Sequence, residues 1–116
     1  MAEISHTRTA TQNTRAFVAT WSPLAQGDTG EPVGFSQYSD KSVQVAGVFG
    51  GASVRVEGSN NGVDWAVLTD PQGNDLVISS AKIEMVTEAT AHVRPVVVGG
   101  SGTTDLSVSM LLKEVR

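Results

Sequence analysis

The stretch at residues 54–74, VRVEGSNNGVDWAVLTDPQGN, decides the fold. Val54 and Val56 alternate with Arg55 and Glu57, the period-two pattern of a half-buried strand. Asn60-Asn61-Gly62 follows, and Asn-Gly tolerates the positive φ angles of a type I′ hairpin turn. VDWAVLT (63–69) then reads as the return strand, with Trp65 and Val67 on one face. DPQGND (70–75) is a second turn: Asp70 opens it, Pro71 presets φ and Gly73 supplies a left-handed position. The pattern is that of a well-specified hairpin carrying neither a nucleophile nor a basic stripe.

Working outward, KSVQVAGVF (41–49) alternates Val43 and Val45 against Ser42 and Gln44. Gly50-Gly51 joins it to ASVRVEGS, which predicts another two-residue hairpin. In RAFVATW (15–21), Phe17, Ala19 and Trp21 share a parity. SPLAQGDTGEPVG (22–34), with two prolines and three glycines, predicts a long loop without a regular element. Residues 1–14 are polar and Thr-rich, with Ile4 the exception; they read as an arm, either frayed or ordered only against a partner.

Downstream, LVIS (76–79) is a short strand, and SAKIEMVTEATA (80–91) fits a strand or a short helical corner. HVRPVVVGG (92–100) is a strand that Pro95 pushes towards an edge or bulge. TDLSVSMLLKEV (104–115) places Leu106, Val108, Met110 and Leu112 on one side. About eight short strands with turn signals between them, and no βαβ rhythm, predict an all-β fold. The expectation is an antiparallel, jelly-roll-like β-sandwich at 15–116, preceded by the arm at 1–14. Its expected core is Phe17, Val43, Val45, Val54, Val56, Trp65, Val67, Ile78, Val96, Val98, Leu106, Val108 and Met110.

The chain has 116 residues, no cysteine and a net charge of -4, and its eight Lys and Arg residues are scattered. Nucleic-acid binding needs concentrated positive charge, so no nucleic acid is expected as a partner. No apolar run reaches the ~20 residues that span a bilayer, so no membrane is expected either. The N-terminus lacks the apolar segment of a secretory signal, and the chain is expected to act, or be assembled, where it is made.

Catalytic signals are absent from the pattern. His6 and His92 have no G-x-S-x-G nucleophile elbow to serve, and His92 reads as structural. Asp64, Asp70 and Asp75 lie close in sequence, but DPQGND is not an EF-hand loop. The glycine-rich stretches lack the lysine of a phosphate-binding loop. The chain is therefore expected not to be an enzyme, with no catalytic residue, no metal and no cofactor. Trp21, Tyr38 and Trp65 could instead form an aromatic platform for sugars, which makes a carbohydrate-binding module the alternative.

The stretch VFGGASVRVEGSNNGVDWAVLTDPQGNDLVISSAKIEMV, followed by HVRPVVVGGSGTTDLSVSMLL, resembles small structural proteins of tailed bacteriophages and prophages, the capsid decoration or cement proteins. The resemblance covers about residues 41–112 and is carried by EGSNNGVDW together with DPQGN and the later RP. It implies a structural virion protein on the outer surface of the phage head, made in the host cytoplasm. Such a protein bridges major capsid protein subunits, many weak contacts adding up on a symmetric shell. It also implies a homo-oligomer, with a trimer favoured and a dimer the alternative. The partner-binding residues would come from the arm and the loop at 22–38: Ile4, His6, Arg8, Arg15, Trp21, Leu24, Phe35 and Tyr38.

Overall fold

The structure, a computed structural model, describes residues 2–12, 15–34, 38 and 40–114. Among them are eleven β-strands and no helix. They are β1 (Glu3–Ile4), β2 (Thr7–Ala10), β3 (Ala16–Leu24), β4 (Thr29–Gly30), β5 (Asp40–Val48), β6 (Ala52–Ser59), β7 (Ala66–Val67), β8 (Val77–Ile78), β9 (Lys82–Val86), β10 (His92–Gly99) and β11 (Asp105–Lys113). One sheet runs β1-β4-β10-β6-β7, with β8 also on β6; the other runs β2-β3-β11-β5-β9. All pairings are antiparallel except β1 with β4. The fold is thus an all-β sandwich.

Alternating side chains from both sheets meet in one core, which includes Phe17, Trp21, Val43, Val45, Val54, Val56, Ile78, Leu106, Val108 and Met110. Burying each large side chain of this set contributes about 1.5–3 kcal/mol before conformational entropy is counted. Trp21 is fully enclosed, and its indole N–H donates to Glu31 O at 2.9 Å, so the one polar group of that ring is met. Gly30 lets β4 approach this ring: a Cβ there would lie 2.6 Å from Pro95 Cγ and 2.8 Å from Trp21 Cδ1.

Four expectations are corrected. Val96 and Val98 do not line the core; Val93, Pro95 and Val97 do, because β10 lies inside its sheet between β4 and β6 with the opposite parity. Nor does Trp65, which with Val67 falls on the outer side, where Val67 pairs with the outward Glu57; Leu68 turns inward instead. Gly50-Gly51 is a tight turn, with φ 59° and 89° and an Ala52 N–H to Phe49 O bond of 2.9 Å. It joins no hairpin, however, for β5 and β6 belong to different sheets. And the Asn60-Asn61-Gly62 link is no type I′ turn, since only Gly62 has positive φ. Asn61 Oδ1 accepts the Val63 and Asp64 N–H groups at 2.8 and 2.9 Å and widens the loop between β6 and β7.

The Asp70 turn forms as expected. Its Oδ1 accepts the N–H groups of Gln72 and Asn74, Gly73 N–H donates to Asp70 O, and Gly73 has φ 87°. The segment at 80–91 contributes a strand, β9, rather than a helical corner.

Candidate functional site

The N-terminal segment is not a free arm. β1 pairs with β4 in one sheet and β2 pairs with β3 in the other, so residues 3–10 straddle both layers. Ile4 packs against the core. His6 Nδ1 lies 2.9 Å from Glu31 Oε1, an ionic contact when the ring is protonated, and its ring sits 5.6 Å from that of Trp21. Arg8 stacks over the Phe17 ring at 5.2 Å. Polarity concealed this pairing, because edge strands are held by backbone hydrogen bonds that composition does not reveal.

The other expected partner-binding residues separate. Trp21 and Leu24 are fully buried and face the interior, which removes them from any contact surface. They are buried because β3 continues through Pro23 to Leu24, where a loop was expected; β4 then adds a second strand within the supposed loop. Tyr38 packs edge-on against Phe17 with centroids 5.0 Å apart. Arg15 is exposed, and its carbonyl accepts the Glu114 N–H at 2.9 Å. Phe35 lies outside the described residues. Among the described residues of this set, Arg8 and Tyr38 meet at Phe17 and His6 meets Trp21, while Trp21 and Leu24 are enclosed and Arg15 is exposed.

The two sheets present different outer faces. On the β10-β6 sheet, Glu57 is buried although its strand parity points outward. Arg94 Nε and Nη2 both donate to Glu57 Oε1, at 3.2 and 3.0 Å, and Arg55 Nη2 lies 3.3 Å from Oε2. The Arg94 guanidinium lies over the Trp65 ring, 4.0 Å from its centroid. His92 stands 6.4 Å from the same ring. This charged cluster was missed because Glu57 and Arg94 are far apart in sequence; only the β6–β10 register makes them neighbours.

The outer face of the second sheet is uncharged across its middle. Cross-strand register lines up Thr9, Val18, Leu111, Ser42 and Met85 in one row. Thr7, Thr20, Ser109, Gln44 and Ile83 form the next. Below this face, at the end of the sandwich, Lys41 is buried; desolvation lowers its pKa, against the opposing pull of Asp40 and Glu88. Glu88 itself is held below the usual carboxylate range, chiefly by the Thr69 hydroxyl and then by the Thr69 N–H. Among the described residues, no three metal-ligating side chains come together, and no helix is long and apolar enough to cross a membrane.

No protein-family model matches the chain, and no curated protein matches it. Among solved structures, its fold is similar to the crystal structure of SPBc2 prophage-derived protein YomS, with a TM-score of 0.64 and 13% identity over 89% of this chain and 98% of that one. At that identity the likeness is one of fold, and it extends over nearly the whole of both molecules.

Proposed function

We propose that this chain is a capsid decoration protein of a tailed phage or prophage, binding the outside of the head and bridging major capsid protein subunits. The observation that carries the reading is the near-complete fold match to a prophage-derived protein, joined to the EGSNNGVDW, DPQGN and RP resemblance. The outer face of the β2-β3-β11-β5-β9 sheet supports it, because the Thr, Ser, Gln and apolar side chains across its middle can lie against a shell without desolvating charge. Such a protein performs no bond chemistry and needs no cofactor.

The test mixes the purified chain with undecorated shells assembled from the major capsid protein of its own genome. Saturable co-sedimentation and a raised disruption temperature of the shells are expected. Shells that take up no protein at any concentration would overturn the reading.

Carbohydrate binding is the second reading, favoured by one observation: Trp65 is only half buried and adjoins the exposed Asp64 and Asn61. Trp21 and Tyr38 do not join it on a platform, since Trp21 is enclosed and Tyr38 packs on Phe17. A glycan whose binding quenches Trp65 fluorescence would support this reading; an array with no hit would remove it.

A further inference from the structure

Of the strands that end the two sheets, β9 is unlike the others. Val86 faces the core, but the strand's two other apolar residues face outward: Ile83 is 61% exposed and Met85 51%, and both stand on the outer face beside Leu111, 37% exposed. Its charged residues, Lys82 and Glu84, take the inner parity opposite Val45 and Val43, where they pair with each other at 3.5 Å along the rim. Charge on an edge strand, outward or inward, discourages pairing with a second sheet, but Lys82 and Glu84 are of opposite sign and two residues apart on one face, so a partner in the right register can satisfy both. β9 also offers five residues for pairing, while β1, β2, β7 and β8 are only two to four residues long.

We propose that β9 pairs antiparallel with β9 of a second copy of this chain, about a two-fold axis at Ile83, joining the two five-stranded sheets into one. Charge complementarity selects the copy and the register. Residues directly opposite in an antiparallel pair point to the same face. An axis at Ile83 sets Ile83 against Ile83 of the second copy, and Lys82 against Glu84 of the second copy, twice by symmetry. An axis at Glu84 would instead oppose the two Glu84 carboxylates. An axis between residues 83 and 84 would oppose an outward side chain to an inward one. Moving the axis on to Met85 would bring Thr87 into the ladder, but the Thr87 N–H already donates to Thr69 O at 2.9 Å. The interface is isologous, as a two-fold dimer requires, whereas family analogy favours a trimer. This inference goes beyond the capsid reading and does not rest on it, because association is read in solution without shells.

The experiment is sedimentation velocity on the full chain across a concentration series, with charge reversals at the two rim positions. Wild type is expected to shift from monomer to dimer with concentration. K82E alone places glutamates opposite each other, and E84K alone places lysines opposite each other. Each weakens association by roughly tenfold or more. A 1:1 mixture of the two single variants restores dimers, since in the mixed pair every rim glutamate of one variant meets a rim lysine of the other across the axis; the double variant also dimerises. I83K removes the dimer. Melting temperatures equal to that of wild type, compared at concentrations where all are monomeric, confirm that only association has changed. A wild-type chain that stays monomeric throughout would overturn the proposal, as would a mixture no more associated than its components. A monomeric wild type whose shell binding is lost in I83K would assign the edge to the shell and equally overturn it.

Discussion

Replacing Glu57 with Gln is the sharpest probe of the outer cluster on the β10-β6 sheet. The substitution keeps shape and volume but removes the charge and turns one acceptor oxygen into a donor amide. The Glu57 side chain is 10% exposed, the Arg94 side chain 24% and the Arg55 side chain 40%. The Arg94 fork onto Oε1 is therefore largely shielded, and charge-assisted hydrogen bonds of that kind contribute about 1.5–3 kcal/mol. A neutral amide oxygen retains part of that. The Arg55 contact is closer to solvent and adds roughly 0.2–1 kcal/mol, but in the variant it becomes donor against donor. A net loss of about 2 kcal/mol results. With an unfolding entropy of about 2.1 cal/mol/K per residue, the melting temperature falls by about 8 °C. Urea titration at low and high salt measures the loss. A double-mutant cycle with R94M should give a coupling of about 1 kcal/mol or more. A loss under about 0.5 kcal/mol, additive with R94M, would refute a shielded, cooperative cluster and make these groups ordinary surface charges.

Four further predictions follow from the same structure. G30A drives a methyl group into Pro95 and Trp21 and should cost about 1–3 kcal/mol in denaturant unfolding, whereas G102A, with open space around it, should be near neutral. K41M should be more stable than wild type at pH 7: burial lowers the folded pKa of Lys41 below 10.5, so the unfolded state binds the extra proton and wild-type stability recovers only as pH rises from the folded pKa to 10.5. Comparing melting temperatures at pH 7 and 10.5 checks that the advantage shrinks. E88Q should be less stable than wild type at neutral pH; because Thr69 lowers the folded pKa of Glu88, that difference is present above the unfolded carboxylate pKa and vanishes as pH falls through the folded one. Acrylamide quenching of W21F and W65F should show one shielded indole, Trp21, and one reachable indole, Trp65.

Local pattern revealed strands but not their partners. The alternation in 41–48 and 104–112 placed Val43, Val45, Leu106, Val108 and Met110 inward correctly, because one face of each strand is polar. HVRPVVV has no polar residue from 95 to 98 to break the tie, and there the parity was misread. Gly50-Gly51 was recognised as a turn, but a tight turn does not say whether the chain returns along the same sheet or crosses to the other one. Ser22 to Gly34 looked irregular because proline and glycine dominate it, yet Gly30 is there for close approach to Trp21 rather than for disorder. The interaction surfaces were least legible. The Arg55-Glu57-Arg94 cluster depends on β6–β10 register, and the outward Ile83 and Met85 could be recognised only once β9 was placed at the end of its sheet.

β11 is among the last segments of the chain, yet it lies in the middle of its sheet, between β3 and β5. During synthesis, β3 and β5 emerge with a vacant slot between them that stays unfilled until Asp105–Lys113 leaves the ribosome. A chain stopped between Val86 and Asp105 keeps β2-β3 and β5-β9 but lacks that central spine, leaving two unjoined hydrophobic half-sheets. Late closure therefore acts as a length check on the fold, since a product stopped before Asp105 lacks the strand that joins the two halves.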